Sequence, residues 1–181
     1  MNISESVTFE EALALTQSLM SQRVTDELSQ QEFSEAIAQL VKSENGARGF
    51  FVTYLSSEGT LADNPSPEVI QALQASPDTV AELLVKNLAM SAAMAVAHRR
   101  NGAEEMAQGS DRVRSRTAYI IQQVALPQVR ELAEQLHESA VTGEGTYQTF
   151  LQRWGYDAQQ RQVICRTLEQ VIPEVSDRKS D

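Results

Sequence analysis

Five arginines near the middle of the chain are the residues best suited to bind a ligand. They are Arg99, Arg100, Arg112, Arg114 and Arg116. The whole chain carries 25 acidic and 15 basic residues, with a net charge of −10, so this basic segment is a local exception. Arg112 and Arg116 are four positions apart, which places them on one helix face, where two guanidinium groups can bind one phosphate or carboxylate. We therefore expect an acidic protein partner or an anionic small molecule to bind here. The alternative is that the arginines pair with acids of the same chain.

His98 directly precedes these arginines and follows an uncharged run. An imidazole at such a place can coordinate a haem iron or hold the carboxylate of a pigment. The five residues from His98 to Gly102, HRRNG, resemble the His-x-Arg-x-Gly motif after the proximal histidine of sensor globins, and the resemblance implies haem ligation by His98. The simpler interpretation is a helix-end histidine that interacts favourably with the helix dipole. We expect no cofactor, with haem or a pigment at His98 as the alternative.

Other residues give weaker signals for chemistry. Glu134 and His137 have the Glu-x-x-His spacing of carboxylate-bridged di-iron bundles, but the corresponding position before His98 is Ala95, so we expect no metal site. Cys165 stands beside an isoleucine in a helical pattern, as a packed small side chain would. An interaction or regulatory protein without catalysis is therefore the first hypothesis. A ligand sensor at His98 is the second, and an enzyme of unknown class is the third.

Composition indicates where the protein works. A single cysteine suits a reducing compartment, and the N-terminal residues lack the features of a signal peptide. The longest uncharged apolar run is shorter than the roughly 20 residues that span a bilayer. A net charge of −10 disfavours nucleic acid, which attracts cationic surfaces. We expect a cytoplasmic protein that neither crosses a membrane nor binds nucleic acid.

The stretch from about 77 to 100 predicts one long central helix. Ser76 and Pro77 suit its start, and His98, Arg99 and Arg100 suit its end. No charged residue occurs from 87 to 97, which predicts a helix enclosed on nearly all sides. Its alanines and methionines favour close packing, and one chain of this size has limited capacity to cover such a helix. We therefore also expect a homodimer.

The remaining patterns predict an irregular all-α bundle of seven or eight helices. Capping boxes begin the first two helices at Thr8 and Ser29. The run from 47 to 55 has strand propensity but helical periodicity, so we predict a third helix. The antiparallel partner of the central helix should kink or break at Pro127. We expect one domain over residues 1–172 and a disordered tail over 173–181.

Overall fold

The computed structural model describes residues 3–172, and within them the chain forms nine helices and no strands. The helices are α1 (Phe9–Val24), α2 (Gln30–Leu40), α3 (Glu44–Ser56), α4 (Pro67–Gln74), α5 (Pro77–Arg100), α6 (Glu104–Val124), α7 (Pro127–Thr142), α8 (Gln148–Trp154) and α9 (Ala158–Glu169). The all-α prediction is confirmed. The tail predicted for residues 173–181 lies outside the described residues.

Local signals set the helix starts much as predicted. Thr8 and Ser29 each accept a hydrogen bond from the third backbone N–H of their helix, and the glutamate at that position bonds back, which completes both capping boxes. Asp157 makes the same arrangement with Gln160 before α9. Ser76 precedes α5 as predicted, but its side chain makes no capping hydrogen bond. Pro77 at the first turn of α5 therefore starts that helix without a side-chain cap.

The third segment is helical, as its periodicity predicted. Most of its apolar residues share one buried face, formed by Ala47, Phe50, Phe51, Tyr54 and Leu55. Gly49 lies on the same helix against α1, where an added Cβ atom would come within 2.5 Å of the Ala12 Cβ atom. The close approach of α1 and α3 therefore requires glycine at position 49.

The central position of α5 is confirmed. It packs most extensively along α6 and also contacts α3, α4, α7 and α9. Ala89, Ala92 and Ala93 are fully buried on it. Small side chains allow neighbouring backbones to come close. By length and composition α5 could also cross a membrane, but its packing in this structure is that of a core helix.

The antiparallel partner of α5 breaks near Pro127, as predicted. The helix α6 ends at Val124, Ala125 has a left-handed backbone with φ of 46°, and Pro127 starts α7. Proline cannot donate to the helical ladder, and its ring disfavours helical geometry in the residue before it. The partner is therefore two helices, and the count within residues 3–172 reaches nine rather than seven or eight.

One face of α5 departs from the expected full enclosure. Asn87, Met90, Met94 and His98 follow each other at helical spacing and line an open groove. Met94 is 37% exposed, whereas its neighbour Ala93 is fully buried. The uncharged run from 87 to 97 is compatible with an open apolar groove as well as with a closed core. Its composition therefore did not show which side of α5 is covered by other helices.

Ala93 and Met94 provide a direct test of the two faces of α5. We expect Ala93→Glu to lower the free energy of unfolding by more than about 4 kcal/mol, because an unpaired carboxylate is buried. Met94→Glu should cost less than about 1.5 kcal/mol, since its carboxylate reaches water. Urea unfolding followed by circular dichroism measures both values. Equal losses for the two variants would contradict the open groove.

Candidate functional site

Arg99 and Arg100 pair with acids of the same chain at the end of α5. The Arg99 Nη2 atom lies 2.6 Å from Asp111 Oδ2 and 3.3 Å from Glu104 Oε1. Arg100 binds the Asp157 carboxylate through both terminal nitrogens and also donates to the Gln159 side chain. Asp157 is also the N-cap of α9. Arg100 therefore joins the end of α5 to the start of α9.

Arg116 is a buried anchor for the loop after α3. Its side chain is 3% exposed. The guanidinium donates to the backbone carbonyl oxygens of Leu55 at 2.9 Å, Ser57 at 2.7 Å and Gly59 at 2.7 Å. Its Nε atom also donates to Asp63 Oδ1 at 2.6 Å. With these contacts made, Arg116 has little capacity to bind a ligand together with Arg112.

Arg112 has the loosest ion pair of the five arginines. Its Nη2 atom is 3.5 Å from Glu58 Oε1, at the limit of a hydrogen bond, and the Glu58 side chain is 90% exposed. The Arg112 Nε atom is enclosed and has no hydrogen-bond partner. Arg114, by contrast, binds Asp111 Oδ1 at 2.8 Å. Of the predicted arginines, Arg112 is thus the one whose guanidinium keeps capacity for a further anion.

Arg112 lines an open groove of about 790 Å³ between α3, α5 and α6. Its main lining residues are Phe51, Val52 and Leu55 of α3, Met90, Met94 and His98 of α5, and Met106, Gly109 and Arg112 of α6. Val52 is 49% exposed and Met106 is 60% exposed. Exposed large apolar side chains that line a common groove are typical of a binding site.

Gly109 lies in the interior of α6 and lines this groove. A Cβ atom added at Gly109 would meet no other atom within 4 Å, so packing does not require glycine here. Glycine in a helix costs about 1 kcal/mol relative to alanine. A glycine that weakens its own helix while leaving space beside the exposed methionines is consistent with a site that has to accommodate a ligand.

His98 lies in the same groove as Arg112. Within residues 3–172 its imidazole makes no hydrogen bond or ion pair. The two predicted sites, one at the arginines and one at His98, therefore meet in a single groove through Arg112. Haem or pigment binding at His98 stays a prediction.

The other residues considered from the sequence lie elsewhere. His137 Nε2 is 2.9 Å from Glu169 Oε1, and Glu134 pairs with Arg130 at 2.9 Å. Burial raises the pKa of the half-buried Cys165 thiol, with a smaller contribution from the Glu169 carboxylate, and this disfavours the reactive thiolate. Among residues 3–172, no three His, Cys, Asp or Glu side chains converge in an arrangement that would hold a metal.

Nearly the whole described part of the chain matches one protein family. A model of the family described as uncharacterised conserved protein UCP020893 matches residues 8–171. The chain belongs to this family. The range shared with the family runs from the N-cap of α1 to two residues beyond α9, so it contains the whole α3–α5–α6 groove. Comparisons with curated proteins and with solved structures found no match.

Sequence patterns did not indicate several groove residues. Val52, Glu58, Met106 and Gly109 belong to segments that are distant along the chain, and they become neighbours only when α3 and α6 pack on α5. In the sequence, Gly109 is a residue that weakens a helical pattern. That Gly109 has no packing reason to be glycine is visible only in the structure, whereas His98 and Arg112 are the groove residues that the sequence did indicate.

The buried role of Arg116 predicts a large stability effect. We expect Arg116→Met to lower the free energy of unfolding by about 3 kcal/mol, because three backbone carbonyl oxygens lose their donor. Arg114→Met is the matched control on the same helix, and its partly exposed ion pair should be worth less than about 1 kcal/mol. Urea unfolding measures both. Similar losses for the two variants would contradict the anchoring role.

The Arg100 and Asp157 pair predicts a pH dependence at the acidic end. The hydrogen bond from Arg100, followed by that from the Gln160 backbone, lowers the pKa of Asp157 from 3.8 to about 2. A lowered pKa means that the pair stabilises the fold fully above pH 3.8 and loses this effect as the pH falls through about 2. In Arg100→Gln we expect the Asp157 pKa to rise, and the stability gap to the unmodified protein to close over that range.

Carbon NMR of the Asp157 carboxyl group and urea unfolding at several pH values check this expectation. Arg130→Gln serves as the control, because Arg130 pairs with Glu134 on α7 and should not alter the Asp157 pKa. An Asp157 pKa that is the same in Arg100→Gln and in the unmodified protein would show that Arg100 does not set it.

Proposed function

We propose that this chain is a binding protein without catalysis, and that the α3–α5–α6 groove takes an anionic ligand on Arg112. The observation that carries the proposal is the position of Arg112. It is the arginine with the loosest internal pairing, and it borders an open groove with exposed methionines. An apolar surface and an available cation are thus present in the same concave site.

The apolar part of the site supports binding of a molecule with a hydrophobic body. Three of the five methionines of the chain, Met90, Met94 and Met106, line the groove. Methionine side chains are flexible and polarizable, so they adapt to the shape of a bound molecule. The volume of about 790 Å³ falls within the roughly 300 to 1,000 Å³ of small-molecule sites.

The electrostatics around Arg112 itself support one anion there, whereas Glu58 and Glu105, which also line the groove, disfavour a second one. The pair with Glu58 contributes little, because the two groups are 3.5 Å apart and Glu58 is almost fully solvated. A ligand carboxylate, phosphate or sulfonate that excludes water would interact with Arg112 more strongly than Glu58 does. Arg99, Arg100 and Arg116 are satisfied by their own acids and carbonyl groups, so their part in the proposal is structural.

Catalysis is not part of the proposal because the groove offers no activated nucleophile. Within residues 3–172, neither histidine hydrogen-bonds to a serine, threonine or cysteine, as nucleophilic catalysis would require. The earlier expectations of a homodimer and a cytoplasmic location stay predictions, as does the expected lack of nucleic-acid binding.

The proposal predicts that Arg112 controls binding of an apolar anion. The probe is 8-anilinonaphthalene-1-sulfonate, whose fluorescence rises when its rings leave water. We expect Arg112→Gln to weaken binding about tenfold, or about 1.4 kcal/mol, and the difference to shrink with added NaCl because salt screens charges. Fluorescence titration at low and high salt measures both effects.

Two further variants make this titration specific. Arg114→Gln removes a nearby positive charge outside the groove and should leave the affinity nearly unchanged. Met94→Glu places a carboxylate among the apolar lining residues and should abolish binding. The proposal fails if folded Arg112→Gln and Met94→Glu proteins both bind the probe as tightly as the unmodified protein.

A further inference from the structure

We infer that the ligand of the α3–α5–α6 groove is a small amphiphile with one carboxylate head group and a flexible apolar tail. This inference rests on the proposed function and specifies the chemical class of its ligand. It combines three features of the groove: the open side of the Arg112 guanidinium, the internal carboxylate beside it, and the methionine-lined space that continues from it.

The Arg112 guanidinium keeps an exposed end for a planar anion. Its side chain is 37% exposed, and its Nη2 atom has only the 3.5 Å contact with Glu58. The Nε atom is enclosed by the protein and is out of reach of a ligand. The two terminal nitrogens, Nη1 and Nη2, form the end-on fork with which arginine binds both oxygens of a carboxylate. An anion that excludes water from this fork interacts with Arg112 more strongly than the hydrated Glu58 does.

Glu58 shows that a carboxylate reaches this position. Its side chain comes from the loop that Arg116 anchors, and it is 90% exposed. Because Glu58 is well hydrated, it leaves Arg112 at little cost when another carboxylate arrives. The Glu58 carboxylate thus marks the place of the ligand head group and competes weakly for it.

The tail has a suitable path along α5. From Asn87 to His98 the groove follows α5 for about 16 Å, at about 1.5 Å per residue. An extended alkyl chain with C–C bonds of about 1.5 Å advances about 1.25 Å per carbon, so this stretch sets an upper limit of about thirteen carbons on the part of a tail that lies along α5. Met90 and Met94 provide adaptable apolar contacts along the path, and Gly109 leaves room opposite them.

The charges of the groove favour a small amphiphile over an acidic helix from a partner protein. Arg112 is the one Lys or Arg among the described lining residues, whereas Glu58 and Glu105 both line the groove. An acidic helix carries several carboxylates, and those that Arg112 does not bind would be repelled by these two glutamates. A ligand with one anionic group avoids this repulsion.

Isothermal titration with three probes of equal chain length tests the inference. The probes are dodecanoate and dodecyltrimethylammonium, each below the concentration at which it forms micelles, and dodecanol below its solubility limit. We expect dodecanoate to bind about tenfold more tightly than dodecanol, and the cation to bind most weakly. Arg112→Gln should remove the preference for dodecanoate, Arg114→Gln should retain it, and Glu58→Gln should strengthen dodecanoate binding a few-fold without affecting dodecanol.

The outcomes separate this inference from the proposed function. If the three probes bind equally, or if Arg112→Gln keeps the preference for dodecanoate, the carboxylate amphiphile is wrong, while loss of all binding in Met94→Glu still supports the groove. If Met94→Glu changes the binding of none of the probes, including 8-anilinonaphthalene-1-sulfonate, the groove itself is wrong. An acidic helical peptide that binds more tightly than dodecanoate and depends on Arg112 would replace the amphiphile by a protein partner.

Discussion

Close packing against the alanine face of α5 is the constraint on which the rest of the structure depends. Ala89, Ala92 and Ala93 have no exposed surface, so the neighbouring helices pack near the α5 backbone. At Ala93 the approach is close enough for the Gln160 side chain of α9 to donate to the Ala93 carbonyl oxygen at 3.1 Å. With α5 fixed in this way, its opposite side, at Met90 and Met94, is left to form the floor of the α3–α5–α6 groove.

Local sequence signals predicted the elements of the fold well. Capping residues, helical periodicity and Pro127 act over a few residues, so the positions of most helix starts and of the break after α6 were accessible from the sequence. The separation of α5 into a closed and an open face was not. Ala93 and Met94 are adjacent and both apolar, and their exposure differs only because other helices cover one of them.

The candidate site shows the same limit. Arg112 and Arg116 are both arginines of α6. Arg112 borders the groove, whereas Arg116 is buried and donates four hydrogen bonds. The difference comes from the loop between α3 and α4, which lies more than fifty positions earlier in the chain. The residues around the arginines do not show which of them this loop contacts. The sequence could therefore identify the cluster of arginines but not the separate roles of Arg112 and Arg116.

The anchoring of that loop also has a consequence for the order in which the protein assembles. Arg116 contacts residues 55 to 63 across a long separation in sequence, and closing such a segment costs entropy before any contact is gained. The hydrogen bonds from Arg116 to the loop therefore form only once α6 has docked beside it. Because the wall of the groove that holds Glu58 is built by this step, a partly folded chain lacks the complete groove. A ligand of the groove would then stabilise only the fully folded state.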